Sequence, residues 1–238
     1  MKKVLKVAGI LLLVIIVIVA TVFVLEKNNI TALINGSSAS SEEIGTQIDS
    51  NRKEFKSQIE KYTSSIVTDI SAEDEKKLLT GQVSLEEIYE KYNYPVNEHK
   101  DNAATQNGTE QSGANNSTGS VDDVIGSAVG KMYALKASYV SKICELEKSV
   151  YGQYMALPEN QRTTKNKKKI VTETINLASS LEKDCDNEVK IVLSELEEQL
   201  SELGSDSTEI IKMLKKAYND EKTLKKSYYI SLIQEHGM

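Results

Sequence analysis

The residue types that most often carry chemistry are scarce in this sequence and widely spaced. Its 238 residues include only two His and two Cys. His99 lies in a polar stretch and His236 at the end of the last helical pattern, so neither has the ordered neighbours that a general base needs. No nucleotide-binding glycine motif and no His-Glu-x-x-His motif is present. We therefore expect no catalytic residues, no cofactor and no metal site, and we expect that the protein is not an enzyme.

One acidic group is an exception to this wide spacing, because its carboxylates are close together in the sequence. Asp184, Asp186 and Glu188 lie within five residues of one another. Carboxylates in such a group either bind a cation or form ion pairs with nearby lysines. Because Lys183 and Lys190 flank the group, we expect ion pairs rather than a bound metal.

The densest positive charge lies in a run that contains Arg162, Lys165, Lys167, Lys168 and Lys169. Such a run attracts anionic lipid headgroups or an anionic wall polymer, with about 1 kcal/mol per cation near a membrane. These five residues are the candidate contacts with an anionic surface; an ordinary solvated loop is the alternative. The net charge of −6 argues against a general affinity for nucleic acid, which needs a cationic surface.

The N-terminal sequence predicts a membrane anchor over residues 1–25. Residues 7–25 carry no charge and, as a helix, span about 28 Å, close to the thickness of a bilayer core. Lys2, Lys3 and Lys6 precede this run, so the positive-inside rule places the N-terminus in the cytoplasm and all later residues outside it. A cleaved signal peptide is the alternative, but its apolar region is usually shorter. We expect a single uncleaved span in the cell membrane.

Residues 26–43 are polar and predict a juxtamembrane spacer, and residues 44–96 predict a helical segment. Apolar side chains recur at three- and four-residue steps from Ile44 to Ile70, which predicts one amphipathic helix. Two short helices should follow it. Ser71 is placed to cap the first at its N-terminus, and Ser84 is placed to open the second.

Residues 97–120 predict a flexible linker, because they contain too few apolar side chains to offset the entropy of ordering. Three long helical patterns follow, over about residues 121–157, 169–203 and 205–235. Their short connections require each helix to reverse against the one before it. We therefore predict an all-α chain in which residues 121–238 form an antiparallel three-helix bundle or coiled coil. Separate coiled-coil strands that join other chains are the alternative.

The predicted bundle places its two cysteines close together. Cys144 and Cys185 are almost equally far from the connection at about residues 158–168, so they fall at the same height on two antiparallel helices. An extracytoplasmic location permits oxidation. We predict a Cys144–Cys185 disulfide, which would add up to about 4 kcal/mol of stability. Two reduced thiols packed as small apolar side chains are the alternative.

These features predict a membrane-anchored extracytoplasmic protein that acts as an interaction or scaffolding module of a bacterial cell envelope. Lys outnumbers Arg 27 to 2, a composition typical of AT-rich bacteria. We expect the membrane and an envelope protein as partners, with an anionic lipid or wall polymer as a further candidate. The alternative is a sensory or ligand-binding ectodomain that works with a separate signalling partner. An apolar pocket between the long helices would favour that alternative.

Overall fold

The computed structural model describes residues 38–65, 67–95 and 119–235. Every regular element in these three ranges is helical, which confirms the predicted all-α class. The predicted anchor, most of the predicted spacer and nearly all of the predicted linker lie outside the described residues, as do His99 and His236. Among the described helices, none combines the length and the apolar character that a bilayer span requires.

Helix α1 (Ser41–Ile59) begins with a capping box. The Ser40 side chain accepts a hydrogen bond from the backbone N–H of Glu43, and the Glu43 carboxylate accepts one from the backbone N–H of Ser40. The helix ends at Ile59, so the prediction that it continues to Ile70 was wrong. The apolar spacing continues beyond Ile59, but the chain there forms a loop.

The loop is held by one residue of a later helix. The Thr63 hydroxyl donates to the backbone carbonyl of Asp122, at 2.9 Å. The Ser64 and Ser65 hydroxyls both donate to the Asp122 carboxylate, at 3.0 Å. The Thr63 hydroxyl also accepts a hydrogen bond from the backbone N–H of Ser65, at 3.0 Å. Such a local bond competes with helical backbone bonds, which explains why the helix stops before these residues.

Two short helices follow as predicted, α2 (Ala72–Leu79) and α3 (Leu85–Tyr92). The Ser71 side chain accepts a hydrogen bond from a first-turn N–H of α2. Ser84 forms a capping box at the start of α3. Gly81, just after α2, has a φ of +67°, a left-handed conformation that glycine adopts without steric cost.

The three predicted long helices are also present. Their bounds are α4 (Val121–Ala156), α5 (Thr164–Glu202) and α6 (Thr208–Glu235). A 3-10 turn, Glu159–Gln161, connects α4 to α5. Helix α5 begins five residues earlier than predicted, because the Thr163 side chain caps it by accepting a hydrogen bond from the N–H of Asn166.

The helical bundle is confirmed, but it contains a fourth helix that the sequence did not assign to it. Helices α4 and α5 form the predicted antiparallel pair, with Lys131 Nζ 2.7 Å from Glu195 Oε2 across it. Helix α6 packs mainly against α1 and makes fewer contacts with α5. Helices α2 and α3 lie on α4. The bundle therefore consists of α1, α4, α5 and α6, with α2 and α3 against its side.

The two segments on either side of the predicted linker share one apolar core. Buried side chains from all six helices form it, including Ile59, Leu78, Ile88, Ala134, Leu196 and Leu214. A second, smaller core of Leu146, Val150 and Ala178 joins α4 to α5 nearer to their connection. The N-terminal helices are therefore part of the same folded unit as the long helices.

Because the core is shared, a cavity made in α3 should weaken the whole helical fold. Ile88 is 2% exposed, and we expect Ile88→Ala to lower the free energy of unfolding by about 2–5 kcal/mol. The loss should appear as one shifted transition in guanidinium unfolding of the full chain in detergent, followed by circular dichroism at 222 nm. Tyr62→Ala, at an exposed position, is the control and should change little. A separate early transition of small amplitude would show that residues 41–95 unfold independently.

Candidate ligand cavity and its charge network

A cavity of about 210 Å³ lies inside the bundle, with α4 and α5 on one side and α1 and α6 on the other. Most of its wall is apolar and is provided by side chains such as Phe55, Met132, Val140, Ile143 and Ala217. Nine charged residues also line it, five cationic and four acidic. The cavity therefore combines an apolar interior with a dense set of charges on its wall.

Arg52 on α1 lies at the centre of this charge network. Its guanidinium nitrogens lie 2.6 Å from a Glu75 oxygen, 2.7 Å from a Glu221 oxygen and 3.5 Å from an Asp69 oxygen. These three carboxylates come from α2, α6 and the loop after α1. A planar guanidinium with several donors suits this arrangement, because it reaches several acceptors at once.

Two lysines complete the network. Lys136 on α4 lies 2.8 Å from Asp69 and 2.7 Å from Glu221, and its side chain is only 17% exposed. Lys225 on α6 lies 2.5 Å from Glu75. Six charged side chains thus connect three of the four bundle helices to α2 and to the loop before it. The whole group is largely removed from water.

The carboxylates of the network differ in how burial and neighbouring charges affect them. Burial alone would raise the pKa of Glu75, but the charges of Lys136, Lys225 and Arg52 outweigh it and hold that pKa at about 2. The pKa of Glu221 is lowered for the same reason. At Asp69 burial prevails over the cations, so its pKa is raised.

A second set of ion pairs joins α5 to α6 on the cavity wall. Lys222 lies 2.7 Å from Asp186 and 3.1 Å from Glu182. Lys226 also contacts Glu182, and the Tyr218 hydroxyl donates to Asp186. In the described parts of the chain, no group of three or more His, Cys, Asp or Glu side chains is placed to hold a metal ion. The cation paired with Asp186 is Lys222 of α6, whereas the sequence analysis expected the flanking Lys183 and Lys190.

The predicted disulfide is not present in the structure, in which Cys144 and Cys185 are both free thiols. Their helices are antiparallel in the predicted register, but the two side chains contact different elements. Cys144 is buried beside Gly81, where an added Cβ would lie 3.4 Å from its sulfur. The Cys185 sulfur lies 3.7 Å from the Tyr218 hydroxyl on α6, and burial raises the Cys185 pKa to about 11. The arrangement matches the alternative of two packed thiols.

The candidate anionic-surface residues lie away from the cavity, where α4 turns into α5. We call residues 151–169 the hairpin tip. Arg162 donates to the backbone carbonyls of Met155 and Leu157, at 2.8 and 3.0 Å, so it caps the C-terminal end of α4. Lys165 and Lys169 are exposed. The side chains of Lys167 and Lys168 lie outside the described part of the structure.

Glu147 is a buried charge-bearing residue that the sequence analysis did not identify. It is 5% exposed, and its Oε1 atom has no hydrogen-bond partner among the described residues. Burial raises the pKa of Glu147 to about 7, although Lys148 acts in the opposite direction. The burial of Glu147 could not be predicted from the sequence, because Glu is common at exposed helix positions.

The sequence analysis also missed the charge network of the cavity, although the amino-acid composition of the chain contains one indication of it. Arginine occurs only twice in 238 residues. In the structure, Arg52 joins three carboxylates and Arg162 joins two backbone carbonyls. Both arginines thus occupy positions where a lysine, with its single point charge, would not reproduce the contacts.

Comparison with family models, with curated proteins and with solved structures found no match. No function or binding residue is therefore transferred from another protein.

The cavity network should contribute more to stability than a similar ion pair at the surface. Lys136→Met leaves Asp69 and Glu221 with one cation fewer, and we expect it to lower the free energy of unfolding by about 3 kcal/mol. Lys131→Met removes the more exposed Lys131–Glu195 pair of the same helix and should cost below about 1 kcal/mol. Guanidinium unfolding of both variants measures the difference. Equal losses would show that the network is not a stabilising centre.

Proposed function

We propose that this chain is a membrane-anchored extracytoplasmic protein whose helical bundle binds a small amphiphilic ligand and acts through a separate partner. The cavity between α1, α4, α5 and α6 is the observation that carries this proposal. Ligand sites are typically concave, mainly apolar and equipped with a few polar groups that orient the ligand. The cavity has each of these properties.

The size and charges of the cavity favour a particular class of ligand. Its volume of about 210 Å³ exceeds the roughly 150 Å³ of an engineered cavity that holds benzene, which points to a body of about ten heavy atoms. The wall carries five cationic and four acidic side chains, and a fifth carboxylate, Asp186, pairs with Lys222. Lysine and arginine side chains have several donors each, so they offer hydrogen bonds to an anionic head group. A medium-chain carboxylate fits this description.

An interaction or scaffolding module is the second candidate, and the exposed surface of α5 favours it. Leu177 is 52% exposed and Ile191 is 46% exposed. The two residues are fourteen positions apart, about four helical turns, so they lie on one side of the helix. This side suits contact with an envelope protein. A partner bound there would sense a ligand through α5, whose opposite side lines the cavity.

Attachment to the membrane rests on the N-terminal sequence. The nineteen uncharged residues 7–25 have the length of a bilayer span, and the preceding lysines orient it with residues 26–238 outside the cytoplasm. An extracytoplasmic bundle held by a single span needs a partner to pass on the binding of a ligand. The proposed roles of sensing and of interaction therefore belong to one function.

Ligand binding is tested by isothermal titration of the full chain in detergent with octanoate, and with 1-octanol and octylamine as probes of the head group. We expect octanoate to bind at least tenfold more tightly than octylamine. Ala217→Phe fills the cavity from α6 and should weaken octanoate binding at least tenfold, because Ala217 lines the wall. Ala156→Phe adds the same side chain at an exposed position and should leave binding unchanged. Circular dichroism checks that both variants fold, and equal binding by them would exclude the cavity as the site.

Membrane attachment is tested in bacterial cells that express the chain with a C-terminal epitope. The protein should stay with membranes in alkaline carbonate, and external protease should remove the epitope from intact protoplasts. Val14→Lys combined with Val17→Lys should release it, because each central lysine costs about 3 kcal/mol in a span. An epitope protected in intact protoplasts, or intact protein in the medium, would contradict the proposed location.

A further inference from the structure

We infer that the hairpin tip, residues 151–169, contacts the surface of an anionic bilayer, namely the membrane that holds the N-terminal anchor. This inference rests on the proposed anchor and adds a second point of attachment. It identifies the part of the bundle that faces the lipid. It is supported by the path of the chain, by the reach of the spacer and by the chemistry of the tip.

The described chain begins at the same end of the bundle as the hairpin tip. The Ser231 hydroxyl, near the end of α6, donates to the backbone carbonyl of Ala39 at 2.8 Å. Lys222 contacts both Glu182 and Asp186, which places Ser231 level with about residue 175 of α5. Helix α5 begins at Thr164, so the hairpin extends about 15 Å beyond the level of Ala39.

The length of chain before α1 is compatible with a bilayer at the tip. Residues 26–37 separate the predicted span from the first described residue. Twelve residues reach at most about 40 Å. This length exceeds the 15 Å by which the hairpin projects. The chain before α1 is therefore long enough for the tip to contact the bilayer that holds the anchor. An anchor that ends at Leu25 therefore brings the lipid surface within reach of the tip.

The turn between α4 and α5 and the turn between α5 and α6 carry opposite charge. The hairpin tip carries five cationic side chains and one carboxylate, Glu159. The opposite end, residues 195–209 around the turn from α5 to α6, carries six carboxylates and no cation. An anionic surface attracts the first end and repels the second. The two ends together orient the bundle with its tip toward anionic lipid.

The apolar side chains of the tip favour a bilayer over a soluble polyanion. Met155 is 41% exposed, and Tyr154 and Leu157 are half-buried. Apolar and tyrosine side chains close to lysines are typical of contact with the lipid interface, where the apolar part enters and the ammonium groups remain at the headgroups. A wall polymer would use the cations alone. Arg162 holds the turn in shape by capping α4, so the contact is assigned to the lysines of the tip. Among them, Lys169 also lies 3.8 Å from Glu173 in an exposed ion pair.

The test uses tryptophan fluorescence, because the sequence contains no Trp. The full chain is reconstituted into vesicles of phosphatidylglycerol and phosphatidylcholine that contain brominated lipid, a quencher located in the bilayer. Met155→Trp places a reporter on the tip, and Leu203→Trp places one at an exposed position of the opposite end. We expect at least twofold stronger quenching at position 155 than at position 203. The difference should decrease in pure phosphatidylcholine and in 0.5 M salt.

Charge variants of the tip reporter separate the role of its lysines from a general effect of net charge. Lys165→Gln, Lys168→Gln and Lys169→Gln together should reduce quenching at position 155 at least twofold. Lys212→Gln, Lys215→Gln and Lys216→Gln remove the same charge from the first turns of α6 and should leave it unchanged. Circular dichroism of each variant confirms that the helices are retained.

Flotation of the same vesicles distinguishes failure of this inference from failure of the proposed anchor. Protein that floats with neutral vesicles but shows no difference between the two reporters overturns the inference and leaves the anchor in place. Protein that does not float overturns both. Unquenched reporters, together with binding of polyphosphate that the tip substitutions abolish, would identify a polyanion in place of lipid as the partner.

Discussion

The bundle depends on the contact between the Arg52 guanidinium and three carboxylates. Glu75, Glu221 and Asp69 come from three different elements, and all lie within 3.5 Å of this one side chain. A buried charge is costly unless opposite charges and hydrogen bonds compensate it, so these elements must come together for any one of them to be buried. The contact therefore ties α1 to α6 and positions α2 against them. It also explains why α1, which precedes the predicted linker, belongs to the same bundle as the long helices that follow the linker.

The same network gives the cavity its mixed character. Apolar side chains from α4 and α5 form most of the wall, while ion pairs hold α6 and α1 at its other side. Ion pairs between long side chains keep helices farther apart than close apolar packing does, which leaves space between them. Such a space offers an amphiphilic ligand both an apolar volume and hydrogen-bond donors at its edge. The charges that stabilise the bundle also define the site.

The local features of the fold were predictable from the sequence, and the assembly was not. The caps at Ser71 and Ser84, the left-handed Gly81 and the three long helices follow from short-range rules, because they depend on neighbouring residues. The end of α1 and the shared core depend on contacts across more than fifty residues, such as those of Asp122 with Thr63. The disulfide prediction had the correct register, but periodicity does not show which way each cysteine faces. The cavity network was missed because charged residues of an amphipathic helix usually lie on its exposed face.

Glu147 makes the folding of this protein sensitive to acidity. Its pKa is about 7 in the folded protein, against an ordinary value of 4.5. Between these two values the folded protein holds a proton that the unfolded chain has released, so this residue lowers stability as the pH rises from 4.5 to 7. Above pH 7 the destabilisation caused by Glu147 is constant, and below pH 4.5 it is absent. An anionic bilayer at about −30 mV concentrates protons to about half a pH unit below bulk. This potential falls off within a Debye length of about 8 Å, whereas Glu147 lies nine residues, about 14 Å, before the end of α4. The pH of the surrounding solution therefore sets the stability of this part of the hairpin.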